Sequence, residues 1–259
     1  MPASDLPLLT HAARIAGRVA TSFAGSTARR WDKEDGAGPV TEADLAVDTY
    51  LRTTLMAARP GYGWLSEETE DDARRLDQDT VFIVDPIDGT RSFVEGARTW
   101  AISVAVAHRG KVTAAAINLP LRGKLYAAGL GMGATLNGAP IGVCRTHGPP
   151  QVLAARPNFD DRHWPGGRPE ADRHYRPSLA YRLALVGQGR FEGMLTLRPS
   201  WEWDIAAGAL IVAEAGGRVS DRSGADLRFN NASPMLNGVV AAEADLHDAL
   251  LTGLGARVS

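Results

Sequence analysis

An α/β (α+β) fold is what this chain predicts, from three observations. Apolar residues recur with helical spacing near the N-terminus, and β-branched runs bounded by turn residues fill the middle. Helix and strand patterns then alternate again toward the C-terminus. The 259 residues are enough for one large domain or two tightly joined halves, expected here as 1–148 and 149–259. Hydrophobic residues at 44% and charged residues at 22% describe a globular protein with a buried core. The net charge of −2 excludes a broad basic surface that recruits a nucleic-acid polymer, so an anionic ligand must be held locally. Cys144 is the single cysteine, which excludes an intrachain disulfide and fits a reducing compartment. The N-terminus has no basic segment before an apolar core, and no apolar run approaches membrane-spanning length. The expectation is a cytoplasmic protein that does not insert into a membrane.

Leu8, Leu9, Ala12, Ala13, Ile15, Ala16, Val19, Ala20 and Phe23 form the first helical stripe, with Ser4 and Asp5 as cap residues and an end near Gly25. Trp31 to Pro39 reads as a loop. Thr41 then caps a second helix whose apolar side includes Leu45, Leu51, Leu55 and Met56. Asp44 falls in its first turn, where acids are common for dipole reasons alone. Tyr62 to Ser66 is a short strand that runs into Glu67 and Glu68.

Val81-Phe82-Ile83-Val84 has no alternation, which suits a strand covered on both faces. Pro86 forces Asp85 out of the helical region, so the strand is expected to stop there. Asp85 and Asp88 then share one tight loop, with Gly89 allowing close backbone approach to a ligand. Carboxylates held that close repel each other unless a cation lies between them.

Ser92 to Gly96 starts a helix or turn, and Ala101–Ala107 with Val112–Leu119 reads as a hairpin. Lys124–Leu130 and Ala134–Leu136 continue an antiparallel sheet. Pro149-Pro150 and the polar segment from Asn158 to Tyr175 mark the change to the second half. There, Leu179–Val186 is helical, Phe191–Leu197 a strand, Asp204–Ala215 a helix ended by Gly216-Gly217, and Arg218–Asp221 a strand.

Glu67-Glu68, the block Asp85-Pro86-Ile87-Asp88-Gly89-Thr90 and the block Trp203-Asp204-Ile205-Ala206-Ala207, in this order, resemble the inositol monophosphatase superfamily. So does Asp44 in its Thr41-Glu42-Ala43-Asp44 setting. Members of that superfamily are Mg2+-dependent, lithium-sensitive phosphomonoesterases. The resemblance implies a layered αβαβα sandwich of the inositol monophosphatase and fructose-1,6-bisphosphatase type, often dimeric, with the site between its halves. It also implies Mg2+, about two or three ions per site, with paired metals roughly 3.5–4 Å apart. An all-oxygen donor set suits Mg2+, and no His-rich or Cys pattern points to zinc.

By the same resemblance, Glu67, Asp85, Asp88, Asp204 and the Ile87 carbonyl bind metal. Asp44, Glu67 and Thr90 position or deprotonate the attacking water. The N–H groups of Gly89 and Thr90 cradle phosphate. Asp88, Ser178, Arg182 and Asp204 complete the expected substrate contacts. Trp203 is expected to pack beneath Asp204, and Glu68 is either a minor ligand or a solvated acid.

The leaving group is less defined. Inositol-type members carry a Glu seven residues before the Trp-Asp aspartate, where this chain has Leu197. Thr90-Arg91-Ser92-Phe93 looks more like the 3′(2′),5′-bisphosphate nucleotidase and histidinol-phosphatase branches. Arg182 then either meets a second phosphate or is an ion-paired helix residue. The family's Gly-Ser at that helix start appears here as Pro177-Ser178. The leading expectation is hydrolysis of adenosine 3′,5′-bisphosphate to AMP. Inositol 1-phosphate or another polyol phosphate such as histidinol phosphate is the second, and an inactive binding homologue the third.

Overall fold

The computed structural model describes residues 5–23, 27–32, 38–145 and 148–256. The expected cap residue Ser4, the helix end near Gly25 and loop residues 33–37 lie outside them. In chain order the elements begin with α1 (Asp5–Ser22), β1 (Arg30–Asp32), β2 (Pro39–Thr41), α2 (Glu42–Ala58), β3 (Gly63–Ser66), β4 (Thr80–Asp88) and α3 (Thr90–Val94). They continue with β5 (Ala101–His108), β6 (Lys111–Leu119), β7 (Lys124–Gly129), β8 (Ala134–Leu136), β9 (Ala139–Ile141), β10 (Gln151–Leu153) and β11 (Asp172–His174). The last are α4 (Leu179–Gly187), β12 (Gly193–Thr196), β13 (Ser200–Trp201), α5 (Glu202–Glu214), β14 (Arg218–Ser220), β15 (Met235–Leu236), β16 (Val239–Ala242) and α6 (Ala244–Gly253).

Strands β3 to β9 form a seven-stranded sheet in sequence order, parallel at β3–β4 and antiparallel beyond. A second, five-stranded sheet has the order β11-β10-β12-β16-β14. Helices α1 and α2 cover one face of the first sheet, α4 and α5 lie between the sheets, and α6 closes the outer face of the second. The layers are therefore αβαβα. Alternation along β4 shows why its apolar run is unbroken. Phe82 and Val84 enter the core beneath α1 and α2, while Val81 and Ile83 enter the core shared with α4 and α5. Helix α5 touches α4 closely because Gly208 has no side chain, and a Cβ there would stand 2.4 Å from Leu183 Cβ.

Several expectations change. β4 does not stop at Asp85: it pairs with β5 at Asp85↔Ser103 and again at Asp88↔Ala101, with an irregularity between. Pro86 lacks an N–H and is accommodated in that interruption rather than ending the strand. The ends of the expected loop at 31–39 pair as an antiparallel ribbon, Trp31 opposite Val40. Leu45 is exposed, because the inward face of α2 carries Asp44 and Asp48 beside Val47, Leu51 and Leu55. Among the described residues, no helix is long and apolar enough to cross a membrane.

Candidate active site

The acids converge through local structure that the sequence dictates. Thr41 caps α2 by accepting from Ala43 and Asp44 N–H groups, and the Asp44 carboxylate accepts in return from Thr41 N at 2.8 Å and from its hydroxyl. This reciprocal box fixes Asp44 in the core, almost wholly buried. Glu67 follows β3, and its N–H donates to the Val84 carbonyl, which sets it beside the end of β4. Buried Asp48 accepts from Ser66 at 2.5 Å and Thr69 at 2.7 Å, so the chain on both sides of Glu67 and Glu68 is anchored to α2.

Asp85, Asp88 and Asp204 each offer an oxygen, and these three atoms lie within 4.8 Å of one another. Glu67 lines the same cleft without joining this closest group. Gly89 turns the chain at φ +100, a conformation other residues rarely adopt, and starts α3. The Thr90 hydroxyl then sits 3.3 Å from Asp44 Oδ1 and 3.2 Å from the Ile87 carbonyl. The Ser178 hydroxyl and the Ala180 N–H both donate to Asp88 Oδ2, at 2.7 Å and 2.6 Å. Ser178 is held at φ 68, an uncommon backbone for a residue with a side chain, and it also caps α4 by accepting from Tyr181 N. Asp204 enters on the first turn of α5, and the Trp203 carbonyl accepts from Ser103 on β5 at 3.1 Å. Trp203 stacks on Trp201 with ring centroids 4.7 Å apart.

These groups border a cleft of about 520 Å3 lined by Glu67, Asp88, Gly89, Thr90, Ser178, Arg182 and Asp204. Arg91, Tyr175 and Arg198 also face it. Arg182 is buried, stacks over the Tyr175 ring at 4.7 Å and donates to the Arg176 carbonyl. A second cavity of about 510 Å3 adjoins, lined by Arg91, Tyr175, Arg182 and Arg198 in common with the first and by Arg162 and His163 beyond it. Of these arginines only Arg91 and Arg182 stood out in the sequence. Arg162 and Arg198 lie far apart in the chain, and no local motif joins them.

Electrostatics mark the cluster as strained without a cation. Burial pushes the Asp85 carboxyl well above its usual range, and the charges of Glu67, Asp88, Asp204 and Asp44 add to this. Burial also raises Asp204 well above its range, with Asp88 and Glu67 adding. Asp88 rises to about 6 by burial despite its bonds from Ser178 and Ala180. Asp44 rises to about 6 for the same reason, against its bonds from Thr41. Asp85 Oδ1 is buried with no hydrogen-bond partner among the described residues. Three carboxylates gathered this closely, one of them with an orphaned buried oxygen, fit a hard divalent ion, for which an all-oxygen set is suited.

The profile of the inositol monophosphatase family matches residues 4–257. The inositol-1-monophosphatase of Mesorhizobium japonicum is 31% identical, covering 95% of this chain and 94% of that protein. The 3′-phosphoadenosine 5′-phosphate phosphatase of Mycobacterium leprae is 32% identical, covering 80% of this chain and 79% of that protein. The crystal structure of extragenic suppressor protein suhB from Bartonella henselae superposes with a TM-score of 0.83 at 27% identity, over 98% of this chain and all of that one, 100%. The order of the motifs, the layered fold and these likenesses agree: the chain belongs to the inositol monophosphatase family.

Proposed function

We propose that this chain is a Mg2+-dependent phosphomonoesterase that removes the 3′-phosphate of adenosine 3′,5′-bisphosphate, giving AMP and phosphate. The observation that carries this reading is that the carboxylate cleft and the arginine-lined cavity share Arg91, Arg182 and Arg198 in their walls. A second phosphate on the substrate supplies counter-charge for Arg91 and Arg198, which line both cavities, and a single phosphate at the acids does not. Leu197 lines that second cavity, so no carboxylate is offered there to a polyol hydroxyl.

Asp85, Asp88, Asp204, Glu67 and the Ile87 carbonyl are assigned to the metal. Bound there, Mg2+ supplies relief of phosphoryl charge and a water acidified for attack. Asp44 Oδ1, facing the Thr90 hydroxyl, is placed to take the proton of the attacking water, and a carboxyl raised to about 6 is suited to that near neutral pH. Thr90 orients the water, and the Gly89 and Thr90 N–H groups receive phosphate oxygens. Ser178 holds Asp88 in place, and Arg182 lines both cavities. Lithium inhibition and a cytoplasmic location belong to the same reading.

Initial rates on a panel of phosphate monoesters with Mg2+ test it. Turnover of adenosine 3′,5′-bisphosphate well above that of inositol 1-phosphate and histidinol phosphate is expected. Turnover of inositol 1-phosphate with none of the bisphosphate overturns it and favours the polyol reading, for which the Mesorhizobium japonicum likeness speaks.

A further inference from the structure

Away from the cleft, a buried cation and a buried acid face each other through two asparagines. Arg75 belongs to the 3-10 turn Ala73–Asp77, on the connection that leads from Glu67 to β4, and is only 2% exposed. Its guanidinium donates to both carboxylate oxygens of Asp71 at 2.6 Å and 2.8 Å, to Asn230 Oδ1 at 2.6 Å and to the Asn231 carbonyl at 2.9 Å. Glu202, fully buried at 0% exposure, is the first residue of α5. It accepts from Asn230 N at 2.6 Å, Asn231 N at 2.9 Å and Asn231 Nδ2 at 2.7 Å. Asn230 Nδ2 returns a bond to the Arg75 carbonyl at 3.2 Å. None of these residues lines the carboxylate cleft.

We propose that Arg75 and Glu202, joined through Asn230 and Asn231, are positioning residues that hold the segment bearing Glu67 against the helix start bearing Asp204, and so set the affinity of the site for its divalent ion. Glu202 stands two residues before Asp204 in the first turn of α5, so a shift of its carboxylate carries the helix start with it. Arg75 is equally tied to β3, because Gly63 lies so close that a Cβ there would meet Arg75 Cβ at 3.1 Å and Cα at 3.2 Å. The far end of β3 carries Glu67. Acids gathered this closely push their segments apart until an ion arrives, and a rigid tie between those segments lowers the reorganisation that ion binding requires. A purely structural bridge would add stability alone, whereas a tie between two ligand-bearing segments also changes ion affinity in the folded protein.

The inference rests on the metal-dependent reading, and the experiment separates the two. The full chain is stripped with EDTA, and Mg2+ binding is followed by isothermal titration calorimetry at a temperature where each variant is folded, with thermal unfolding in EDTA measured alongside. Arg75→Met and Glu202→Gln are each expected to weaken Mg2+ binding about ten-fold, and the double variant no more than the worse single. Asn118→Ala, which loses a buried bond to the Ala13 carbonyl far from the tie, is the control: it is expected to lower the melting temperature and leave Mg2+ affinity unchanged. Should Arg75→Met fail to fold, Glu202→Gln and Asn231→Ala carry the test. Unchanged Mg2+ affinity in the folded variants, or equal weakening in the control, overturns the inference. Wild-type protein that binds no Mg2+ overturns the metal-dependent reading and this inference with it.

Discussion

Ser178 donates its hydroxyl to Asp88 Oδ2 over 2.7 Å, joining residues 90 positions apart in the chain. The same oxygen accepts Ala180 N–H, and the same serine caps α4. One strained residue thus orients a carboxylate and starts a helix. Ser178→Ala is expected to cost about 2 kcal/mol in urea unfolding, from the lost cap and the lost bond to a buried carboxylate. It should also weaken Mg2+ binding about ten-fold. Ser178→Gly removes the same bonds but suits the positive φ, so it should be the more stable of the two. An alanine variant as stable as wild type with unchanged Mg2+ affinity would contradict this role.

The raised carboxylates give the metal-free protein an unusual pH dependence. A carboxyl with a higher pKa when folded binds more protons in the native state, so its contribution is full below the unfolded value of 3.8 and lost as pH climbs through the folded one. Asp44 and Asp88 place the end of that loss near 6, and Asp85 and Asp204 shift in the same direction. In EDTA the melting temperature should therefore fall from about pH 4 to at least about 6, and saturating Mg2+ should cancel the fall. Asp85→Asn removes a charge whose Oδ1 has no hydrogen-bond partner among the described residues. It should raise the metal-free melting temperature at pH 7.5 while lowering turnover on the order of 100-fold or more. Scanning calorimetry with and without EDTA checks the melting temperatures and initial rates with Mg2+ check the turnover, and a melting temperature that rises with pH in EDTA would refute the account.

Gly208 and Leu183 set how closely α5 approaches α4. Even Gly208→Ala puts a methyl 2.4 Å from Leu183 Cβ and 2.5 Å from its Cδ1, so side chain or helix must move. A cost of about 2 to 3 kcal/mol is expected, the usual range for overpacking a core. The double variant with Leu183→Ala should recover part of that loss, because the second change opens the space the first one fills. Additive losses in the double-mutant cycle would show that the two helices do not compete for this space.

Where residues near in sequence decide a feature, the sequence shows it. The Thr41–Asp44 cap, the doubly covered strand at 81–84 and the hairpin of β5 and β6 depend on neighbours within a few positions. Asp44 was still ambiguous, since a helix-start acid and a site acid share the same local pattern, and only the Thr90 contact distinguishes them. The inward face of α2 misleads a hydropathy reading, because Asp44 and Asp48 are buried by hydrogen bonds from Thr41, Ser66 and Thr69 while Leu45 faces solvent. The interrupted β4–β5 pairing is hidden because a proline that ends a strand and a proline that sits in a break of its pairing look the same in the sequence. Arg75 meets Asn230 across 155 positions, and strands of three residues such as β10 and β11 carry too few residues for a period to show.

Arg162 and Arg198 offer a separation of binding from chemistry. Arg198 lines both cavities, whereas Arg162 lines only the one away from the acids and lies 3.6 Å from Asp160. If the second phosphate of the substrate occupies that cavity, neither side chain changes its contact as the 3′-ester breaks. Binding that is equal in ground and transition states lowers KM without raising kcat. Arg162→Ala should therefore raise KM for adenosine 3′,5′-bisphosphate about three-fold and Arg198→Ala about ten-fold, with kcat nearly unchanged. Adenosine 3′-monophosphate, which shares the leaving 3′-oxygen but lacks the second phosphate, should keep its KM in Arg162→Ala. Added salt should raise KM for the bisphosphate more steeply than for the monophosphate, because the contacts in that cavity are open to solvent. Equal changes in KM for both substrates would place the second phosphate elsewhere.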